Sequence, residues 1–554
     1  MATAGMTLGP HEPHAGVRWM RRHAAALLLL LMAVPVVWIR LRIAATPLGR
    51  DEGEYAYAGQ LILDGVPPYV AAYNMKFPGT YYAYALVMAL FGQTAWAIRV
   101  GLTLVNLATA YMLWRIGRRV LDDFTAAVSV AAFLVLSLDR WVQGTFAHAT
   151  HFALLPALAG ILLLLDCRSW SRMRQVMAAG ALFGTAVLMK QHAVLFLPFA
   201  LWLVWSGKHP EGRARFKPVL WLAMGSCLPI AVLSVVLALQ GALGRCIFWT
   251  LGYAAQYVTA IAVADGWRAF LQGWRDITVA TWPLWTFAAC GFVALWFTRW
   301  PRGARLFVAT LAAASFLAVC PGLYFRTHYF ILLLPAAALC IGIGTTSLVQ
   351  LAQLVTRPAL AHAAALIVFA SLVSAYVVGE SPYLFSLDGP AIARDIYGAN
   401  PFVEAPEIAR YVRDHTSEED TIAVIGSEPE IYFLADRRSA TGYIYTYPLM
   451  EPQRYASSMQ DEMMREIEAA HPKYVIAVLV GTSWLVRPES DNRILQWAER
   501  YTSACYEEVG VADIQPGGTT IRWDADATAY QPRSGSLVFT FKRRSEASCV
   551  ASPR

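Results

Sequence analysis

Three carboxylates stand within four residues of one another near the amino-terminal end of the chain. The segment reads Arg50-Asp51-Glu52-Gly53-Glu54-Tyr55 and follows the first apolar run closely. A carboxylate at a membrane surface can act as a general base towards an acceptor hydroxyl or amine. The same residues could instead form the acidic first turn of a helix, where they interact favourably with its macrodipole. The residues alone leave both interpretations open.

A lysine follows in a segment that reads Asn74-Met75-Lys76-Phe77-Pro78-Gly79. The ammonium group of Lys76 could meet a phosphate as a point charge. A lysine at a membrane interface also commonly extends its charged end into water without binding anything. Both interpretations stay open at this point.

The composition of the 554-residue chain is that of a membrane protein. Hydrophobic residues make up 57% and charged residues 15%, whereas a soluble domain carries roughly 25% charged residues. This excludes an ordinary cytosolic protein and a disordered one. The 19 Trp and 25 Tyr are typical of aromatic belts at membrane interfaces. The net charge of +7 is distributed in short clusters between apolar runs, which indicates membrane topology rather than a nucleic-acid partner.

Eleven apolar runs approach the length of about 20 residues that a membrane-spanning helix needs. They cover residues 23–42, 95–115, 124–138, 146–166, 176–190, 193–207, 218–240, 280–298, 305–322, 328–349 and 359–379. The first run lacks a clean small-residue cleavage site, so we expect a retained signal anchor rather than a removed signal peptide.

Basic residues predict the orientation of these spans. With the N-terminus in the cytoplasm, every inner loop is basic: Arg115/Arg118/Arg119, Arg168/Arg172/Arg174, Lys208/Arg213/Arg215/Lys217, Arg299/Arg302/Arg305 and Arg357. The positive-inside rule and eleven crossings then predict a multi-pass protein of the cell membrane with an extracytoplasmic C-terminus. Only Arg40 and Arg42 oppose this orientation locally.

Two outer segments and a polar tail complete the predicted organisation. Residues 43–94 form an outer loop whose apolar piece 81–91 is too short to span and is expected at the interface. Residues 241–279 form a second outer loop rich in Trp, Tyr and Gln. The predicted boundaries are a membrane domain over 1–379 and an extracytoplasmic domain over 380–554.

The tail alternates predicted helices and strands, which indicates a small α/β domain. We predict helices at 404–415, 429–436 and 452–470, and strands at 421–426, 443–447, 474–480 and 537–541. The tail lacks GxGxxG and GxxxxGK[ST], so no nucleotide cofactor is predicted. Its expected role is that of a lid or an acceptor-docking domain without catalysis.

Eight cysteines are too few for a disulfide scaffold, and no C-x-x-C motif occurs. Six of them lie in or beside apolar runs and are interpreted as small core residues. Cys505 and Cys549 lie in the polar tail, and the sequence leaves open whether they form a disulfide.

Together the carboxylates and the lysine form a recognisable pattern. Residues 49–99 read GRDEGEYAYAGQLILDGVPPYVAAYNMKFPGTYYAYALVMALFGQTAWAIR. They resemble the first external loop of GT-C glycosyltransferases, in particular the group of protein O-mannosyltransferases and lipid A aminoarabinose transferases. That group has an Asp-Glu pair, a Lys-x-Pro turn, an aromatic helix, and the Phe-Gly and Arg positions that Phe91-Gly92 and Arg99 fill. Phe77 replaces the commoner first Pro.

The resemblance implies a mechanism. The donor is a sugar on a polyprenyl phosphate at the outer leaflet, and the acceptor attacks the anomeric carbon while the lipid phosphate leaves. Asp51 is then the candidate base or acceptor orienter, Glu52 supports it, and Lys76 holds the donor phosphate. Fixed cations lower the barrier because negative charge develops on the leaving phosphate.

Two further segments match the pattern of the group. Lys190 in GTAVLMKQHAVLFLP falls on the outer side, where it contacts the donor phosphate or merely marks a helix end. In YFRTHYFILLLPAAALCIG, Arg326 is the better candidate, because a guanidinium fork fits phosphate oxygens. His328 and Tyr329 are weaker candidates, with interfacial filling as the alternative.

One site departs from the pattern. Relatives often have an acidic residue just before the fourth span, where this chain has FAHATHFALLPALAG. His151 falls at the acidic position, and Asp139 nearby could replace that acid. Alternatively, these residues only cap an outer helix end. We therefore predict no metal ion.

The sequence predicts a polytopic α-helical membrane protein of GT-C type that transfers a hexosyl or pentosyl group from a polyprenyl-phosphate donor. The acceptor, a glycan, a lipid or a protein, is not specified by the sequence. The alternatives are a transporter or lipid flippase, which would place polar residues near the membrane midplane, and a non-catalytic scaffold. The candidate charges lie at the outer ends of the spans, which favours a transferase.

Overall fold

A computed structural model describes residues 15–166, 173–206 and 216–545. Up to residue 379, the longer helices are Ala15–Arg42, Arg50–Leu63, Gly79–Phe91, Ala95–Val120, Asp123–Leu136, Ala149–Leu165, Met173–Met189, Leu197–Ser206, Phe216–Leu239, Val263–Thr278, Trp282–Phe297, Arg302–Leu317, Leu334–Ala352 and Pro358–Gly379. Shorter helical turns are Gln191–Phe196, Leu243–Ile247, Phe248–Tyr253, Ala254–Val258, Pro321–Leu323 and Thr327–Leu333.

Four of the described helical stretches are long and apolar enough to cross a membrane: Ala95–Val120, Phe216–Leu239, Thr327–Ala352 and Pro358–Gly379. A fifth is possible if Leu243–Val258 and Val263–Thr278, which meet at 94°, form one broken span. Six further apolar helical stretches have 10–17 residues. The protein is therefore a helical membrane protein, while the number of eleven crossings stays a prediction.

The two arginines that oppose the predicted orientation have structural partners. Arg40 is buried and donates to the carbonyl oxygens of Ser137 at 2.7 Å and Gly144 at 3.0 Å. Arg42 donates to the carbonyls of Leu384 and Leu387. Both side chains satisfy backbone acceptors outside their own helix, which explains their presence at the end of that helix. Arg168, Arg172, Lys208, Arg213 and Arg215, which contributed to the prediction, lie outside the described residues.

The C-terminal part contains a six-stranded mixed sheet, which confirms an α/β architecture. The strands are β1 (Thr421–Ile425), β2 (Arg438–Ser439), β3 (Tyr474–Leu479), β4 (Tyr506–Gln515), β5 (Gly518–Trp523) and β6 (Leu537–Arg543), in the order β2-β1-β3-β6-β4-β5. β1 pairs in parallel with β2 and β3, whereas β6 and β4 continue the sheet antiparallel. The helices here are Pro382–Ser386, Gly389–Tyr397, Ala405–Asp414, Glu430–Ala435, Tyr447–Met450, Ala456–Ala470, Gly481–Trp484, Arg493–Cys505 and Ala525–Thr528.

One predicted strand is wrong. Residues 443–447 are not in the sheet, because the chain leaves it after β2. The carbonyl of Gly442 instead accepts from the Tyr73 N–H at 2.7 Å, which ties this segment to the outer loop 43–94. β4 and β5 were not predicted. Cys505 is disulfide-bonded, and Cys549 lies outside the described residues.

The helix Arg50–Leu63, here called the site helix, packs into the core of the C-terminal part. Its buried Tyr55, Ala56 and Leu61 share one apolar cluster with residues of β1 and β3. At Gly53 the backbone of the site helix lies directly against the backbone and Cβ of Glu430, since a Cβ on Gly53 would lie 2.6 Å from the Glu430 N and Cβ atoms. The carboxylates of the site helix are thereby held against the C-terminal part rather than on a free loop.

Candidate functional site

A cavity of about 370 Å³ lies where the site helix, the loop 74–76 and the C-terminal part meet. Asp51, Lys76, Lys190, Arg326 and Tyr329, all selected from the sequence, line it. Its wall is rich in tyrosines: Tyr55, Tyr253, Tyr257, Tyr329, Tyr397, Tyr445 and Tyr447. The cavity therefore combines the carboxylates Asp51 and Glu52 from the first turn of the site helix, and Glu451, with cations and aromatic rings.

Asp51 is held by four neighbours. Its Oδ1 lies 2.8 Å from Lys76 Nζ and accepts from the Tyr445 hydroxyl at 3.3 Å. Its Oδ2 lies 3.4 Å from His148 Nδ1 and 3.9 Å from His328 Nε2. Burial alone raises the pKa of a carboxyl group, but Lys76 and the two histidines outweigh it and hold the pKa of Asp51 well below its usual value. Asp51 is therefore an anion at every physiological pH.

Lys76 bridges two carboxylates of the site helix. Besides Asp51, its Nζ contacts Glu54 Oε2 at 2.5 Å and lies 4.6 Å from the centre of the Tyr55 ring. The Tyr81 hydroxyl donates to the other Glu54 oxygen at 2.7 Å. The two carboxylates raise the pKa of Lys76 well above its usual value despite burial, so the ammonium form is fixed. Glu54, which lies outside the family's Asp-Glu pair, is thus the residue that anchors Lys76.

Glu52 points away from Asp51 into a buried ion pair. Its two carboxylate oxygens accept from Arg99 Nε at 3.1 Å and Arg99 Nη2 at 2.6 Å. The backbone N–H groups of Ala147 and Gly49 donate to it at 2.8 and 3.3 Å. Glu52 is 1% exposed and Arg99 is 2% exposed. Glu52 therefore anchors the site helix to the helix Ala95–Val120, and its supporting role in the reaction stays a prediction.

Two cations face the cavity without an anionic partner. Among the residues that the structure describes, no ion pair joins Lys190 or Arg326 to a carboxylate. Lys190 Nζ lies 4.2 Å from the centre of the Tyr329 ring, and the guanidinium of Arg326 lies 5.7 Å from the centre of the Tyr324 ring. Lys190 lies between the helices Met173–Met189 and Gln191–Phe196, and Arg326 directly precedes Thr327–Leu333. These side chains can therefore receive an anionic ligand.

A possible set of metal ligands lies beside them. One oxygen of Asp51 and one ring nitrogen each of His148 and His328 lie within 4.8 Å of one another. The two rings stack at 4.1 Å with an angle of 4° between their planes. The lone pairs of two parallel rings lie in parallel planes and do not meet. One of the two rings therefore has to rotate before both nitrogens can bind one ion at the usual metal–nitrogen distance of 2.0–2.1 Å. The donor set is suitable for a metal ion, whereas its present orientation is not.

His151 and Asp139 are not brought to this cavity. His151 is buried in the first turn of Ala149–Leu165, whereas His148 just before that helix reaches Asp51. Asp139 is also buried and accepts from the backbone N–H groups of Trp141 and Val142 and from the Thr281 hydroxyl. Asp139 therefore stabilises a loop, and His148 takes the place that the sequence suggested for His151.

Several cavity residues had no signal in the sequence. Tyr445 and Tyr447 come from the segment that was predicted as a strand, and Glu451 follows it. Tyr445 is 394 positions from Asp51 in the chain. Only their position in the folded structure, in the wall of the same cavity as Asp51, identifies these residues as part of the candidate site.

Comparisons with known proteins show which family and which folds the chain resembles. The family model for dolichyl-phosphate-mannose-protein mannosyltransferase matches residues 75–238. A search of curated proteins by sequence found no match. ArnT from Cupriavidus metallidurans bound to undecaprenyl phosphate superposes with a TM-score of 0.55 at 14% identity, over 96% of this chain and 98% of that chain. The Archaeoglobus fulgidus oligosaccharyltransferase tethered with an acceptor peptide gives 0.51 at 12% identity, over 93% and 75%.

At these identities the solved structures establish the fold alone. The chain thus has the fold of these membrane enzymes, and its residues 75–238 match the mannosyltransferase family model. This confirms the resemblance that residues 49–99 indicated.

Proposed function

We propose that the protein transfers a sugar from a polyprenyl-phosphate donor to an acceptor at the outer face of the membrane. The observation that carries this proposal is the composition of one cavity. It contains a carboxylate whose pKa is held well below its usual value, Asp51, and two basic side chains, Lys190 and Arg326, that form no ion pair with a carboxylate among the residues the structure describes. An acceptor that loses a proton and a leaving phosphate that gains negative charge need these two kinds of group.

The donor phosphate is placed at Lys190 and Arg326, with Lys76 at its edge. The donor phosphate is a diester with one negative charge and becomes a more highly charged monoester as the sugar leaves, which suits an arginine fork and the two ammonium groups. The structural similarity to ArnT, whose crystal structure contains undecaprenyl phosphate, supports a lipid-linked donor. Tyr329 supports Lys190 through its ring.

Asp51 is placed on the acceptor side. The acceptor oxygen or nitrogen forms the new bond to the anomeric carbon, the bond from that carbon to the phosphate oxygen breaks, and the polyprenyl phosphate leaves with the electron pair. Asp51 accepts the hydrogen bond of the acceptor and takes up its proton. A carboxylate with so low a pKa is a weak base, so donor binding contributes by drawing Lys76 away from Asp51. A single displacement of this kind inverts the anomeric configuration.

The outer location follows from the basic inner loops and is part of the proposal. The C-terminal part and the cavity then lie outside the cytoplasm, where a lipid-linked sugar of the outer leaflet can enter. A topology reporter fused after residue 379 is expected to be active only outside the cytoplasm. A cytoplasmic signal would place Asp51 on the wrong side.

The test compares glycolipids, glycans and glycoproteins of a deletion strain with those of its parent by mass spectrometry. The expected result is the loss of one sugar from an acceptor and the accumulation of its lipid-linked precursor. Expression of the Asp51→Asn protein should not restore the sugar. Restoration by Asp51→Asn would remove Asp51 from the mechanism, and an unchanged set of glycolipids, glycans and glycoproteins in the deletion strain would contradict the proposed transfer.

A further inference from the structure

The C-terminal part contributes side chains to the cavity itself. Tyr445, Tyr447 and Glu451 line it together with Asp51. The Tyr445 hydroxyl lies 3.3 Å from Asp51 Oδ1, and the Tyr445 ring lies 5.7 Å from Lys76 Nζ. A lid or a docking module without catalysis, which the sequence predicts, would not need a hydroxyl beside the candidate base.

This contact is held by a clamp on Arg50, the residue before Asp51. Arg50 donates to the Ser427 carbonyl at 2.6 Å, the Tyr447 hydroxyl at 2.6 Å, and the Asn400 and Glu428 side chains at 2.9 Å each. All four partners belong to the C-terminal part. The clamp therefore fixes the first turn of the site helix relative to the segment that presents Tyr445.

The clamp includes a buried charge pair. The Glu428 side chain is 0% exposed, and its second oxygen accepts from the Ser483 hydroxyl at 2.7 Å. A buried ion pair contributes little net stability, because desolvation offsets the attraction. Its geometric effect is more specific: the guanidinium fork sets both the distance and the orientation between two distant parts of the chain.

We propose that Tyr445 is an acceptor-positioning residue of the transfer site and that the Arg50 clamp holds it beside Asp51. This inference rests on the proposed transferase function. A phenol can donate one hydrogen bond and accept others. Tyr445 can thus donate to Asp51 while it accepts from the incoming acceptor, which orients the acceptor towards the carboxylate. The edge-to-face contact with Tyr447, at 5.0 Å between ring centres, fixes the Tyr445 ring.

The first experiment removes only the hydroxyl. Purified full-length Tyr445→Phe protein is added to membranes of the deletion strain, which supply donor and acceptor, and product formation is followed by mass spectrometry. Loss of a hydrogen bond to a charged group predicts a rate about 10-fold to 100-fold lower. Binding of undecaprenyl phosphate, the probe for the donor side, should equal that of the parent, as should the unfolding temperature. A structural defect would lower the rate of product formation, the binding of undecaprenyl phosphate and the unfolding temperature together.

The matched control is Tyr443→Phe. Tyr443 is buried two residues away, and its hydroxyl donates to Glu462 at 2.7 Å outside the cavity. Its removal should leave the rate of product formation at the parent value. An equal loss of activity in both variants would show a general effect on the segment and overturn the role of Tyr445.

A double-mutant cycle tests the clamp. Glu428→Gln weakens the hold on Arg50 and should slow transfer without lowering binding of undecaprenyl phosphate. If the clamp acts through Tyr445, the double variant Glu428→Gln/Tyr445→Phe should be no slower than the slower single variant. Losses that multiply would show that the clamp acts independently of Tyr445, and would overturn that part of the inference.

The parent protein separates the two levels of the proposal. If the parent neither forms product in these membranes nor binds undecaprenyl phosphate, the proposed function fails. If the parent does both and Tyr445→Phe matches it in rate, the inference about Tyr445 alone fails.

Discussion

Lys76 Nζ lies 2.8 Å from Asp51 Oδ1, although 25 positions separate the two residues in the chain. Lys76, which the sequence suggested as a contact of the donor phosphate, thus compensates the charge of Asp51, which the sequence suggested as the base for the acceptor. Because Glu54 also holds Lys76, the lysine keeps a carboxylate partner when it turns towards a phosphate. The proposed function would therefore link donor binding to the basicity of Asp51 through one side chain.

We expect Asp51→Asn to abolish most sugar transfer while leaving donor binding nearly intact. The exchange keeps the size of the side chain but removes its charge and basicity, and loss of a general base costs about 10²–10⁴-fold in rate. Transfer into deletion-strain membranes and binding of undecaprenyl phosphate measure the two effects. Asp461→Asn, at an exposed pair with Arg493, is the control. A fully active Asp51→Asn enzyme would remove Asp51 from the mechanism.

We expect Lys190→Ala and Arg326→Ala each to weaken binding of undecaprenyl phosphate. Each removes a cation that no carboxylate compensates in the described residues, and a charge-assisted hydrogen bond contributes about 1.5–3 kcal/mol. Affinity should therefore fall about 10-fold to 100-fold. Lys473→Ala, which breaks a pair with Asp420 in the C-terminal part, should bind as the parent does. Parent-like affinity in both cavity variants would place the phosphate elsewhere.

We expect Glu52→Gln to affect stability more than chemistry. It leaves the buried Arg99 without its carboxylate, and removal of one partner of a buried pair costs about 3–5 kcal/mol. Thermal unfolding in detergent measures this loss. Asp123→Asn breaks the more exposed pair with Arg118 and should cost less than about 1 kcal/mol. A Glu52→Gln protein that unfolds like its parent but has lost transfer would instead give Glu52 a chemical role.

The pH dependence of transfer should change when Lys76 is replaced by Met. The pKa of Asp51 is lower in the folded than in the unfolded protein. Its charge therefore stabilises the fold at pH values above the unfolded pKa of about 3.9. This stabilisation is lost as the pH falls through the folded-state pKa. The parent should therefore show no acid limb from Asp51 between about pH 5 and pH 8.

Without the Lys76 charge, the effect of burial raises the pKa of Asp51. The acid limb of kcat/KM should move upward in Lys76→Met. Profiles of identical shape for parent and variant would show that Asp51 does not govern the rate.

We expect transfer to be independent of divalent metal ions. Lys76 already compensates Asp51, and one of the stacked rings of His148 and His328 would have to rotate before both could bind one ion. Treatment with a chelator, followed by metal analysis of the purified protein, tests this. Two results together would contradict metal independence. The parent would contain stoichiometric metal that His148→Ala lacks, and adding that metal back to the chelated parent would restore activity.

The sequence by itself determined the features that depend on local pattern. The apolar composition predicted a helical membrane protein, and the segment from Asp51 to Arg99 indicated the GT-C superfamily. Alternation of helices and strands after residue 380 predicted an α/β architecture. The residues Asp51, Lys76, Lys190, Arg326 and Tyr329 were selected from local motifs, and all five line one cavity. Motifs of this kind are readable because each functional group sits at a fixed offset from a helix end.

Tertiary structure decided which neighbouring residue faces the cavity. His148 and His151 are three residues apart, but His148 precedes the helix in extended backbone and reaches Asp51, whereas His151 turns into the core with the first helical turn. Tyr445 and the partners of Arg50 lie hundreds of positions from the site helix. Their placement depends on how the C-terminal sheet packs onto that helix. Such long-range packing leaves no periodic or local signal in the sequence, and for that reason only the folded chain shows that the two halves build one site.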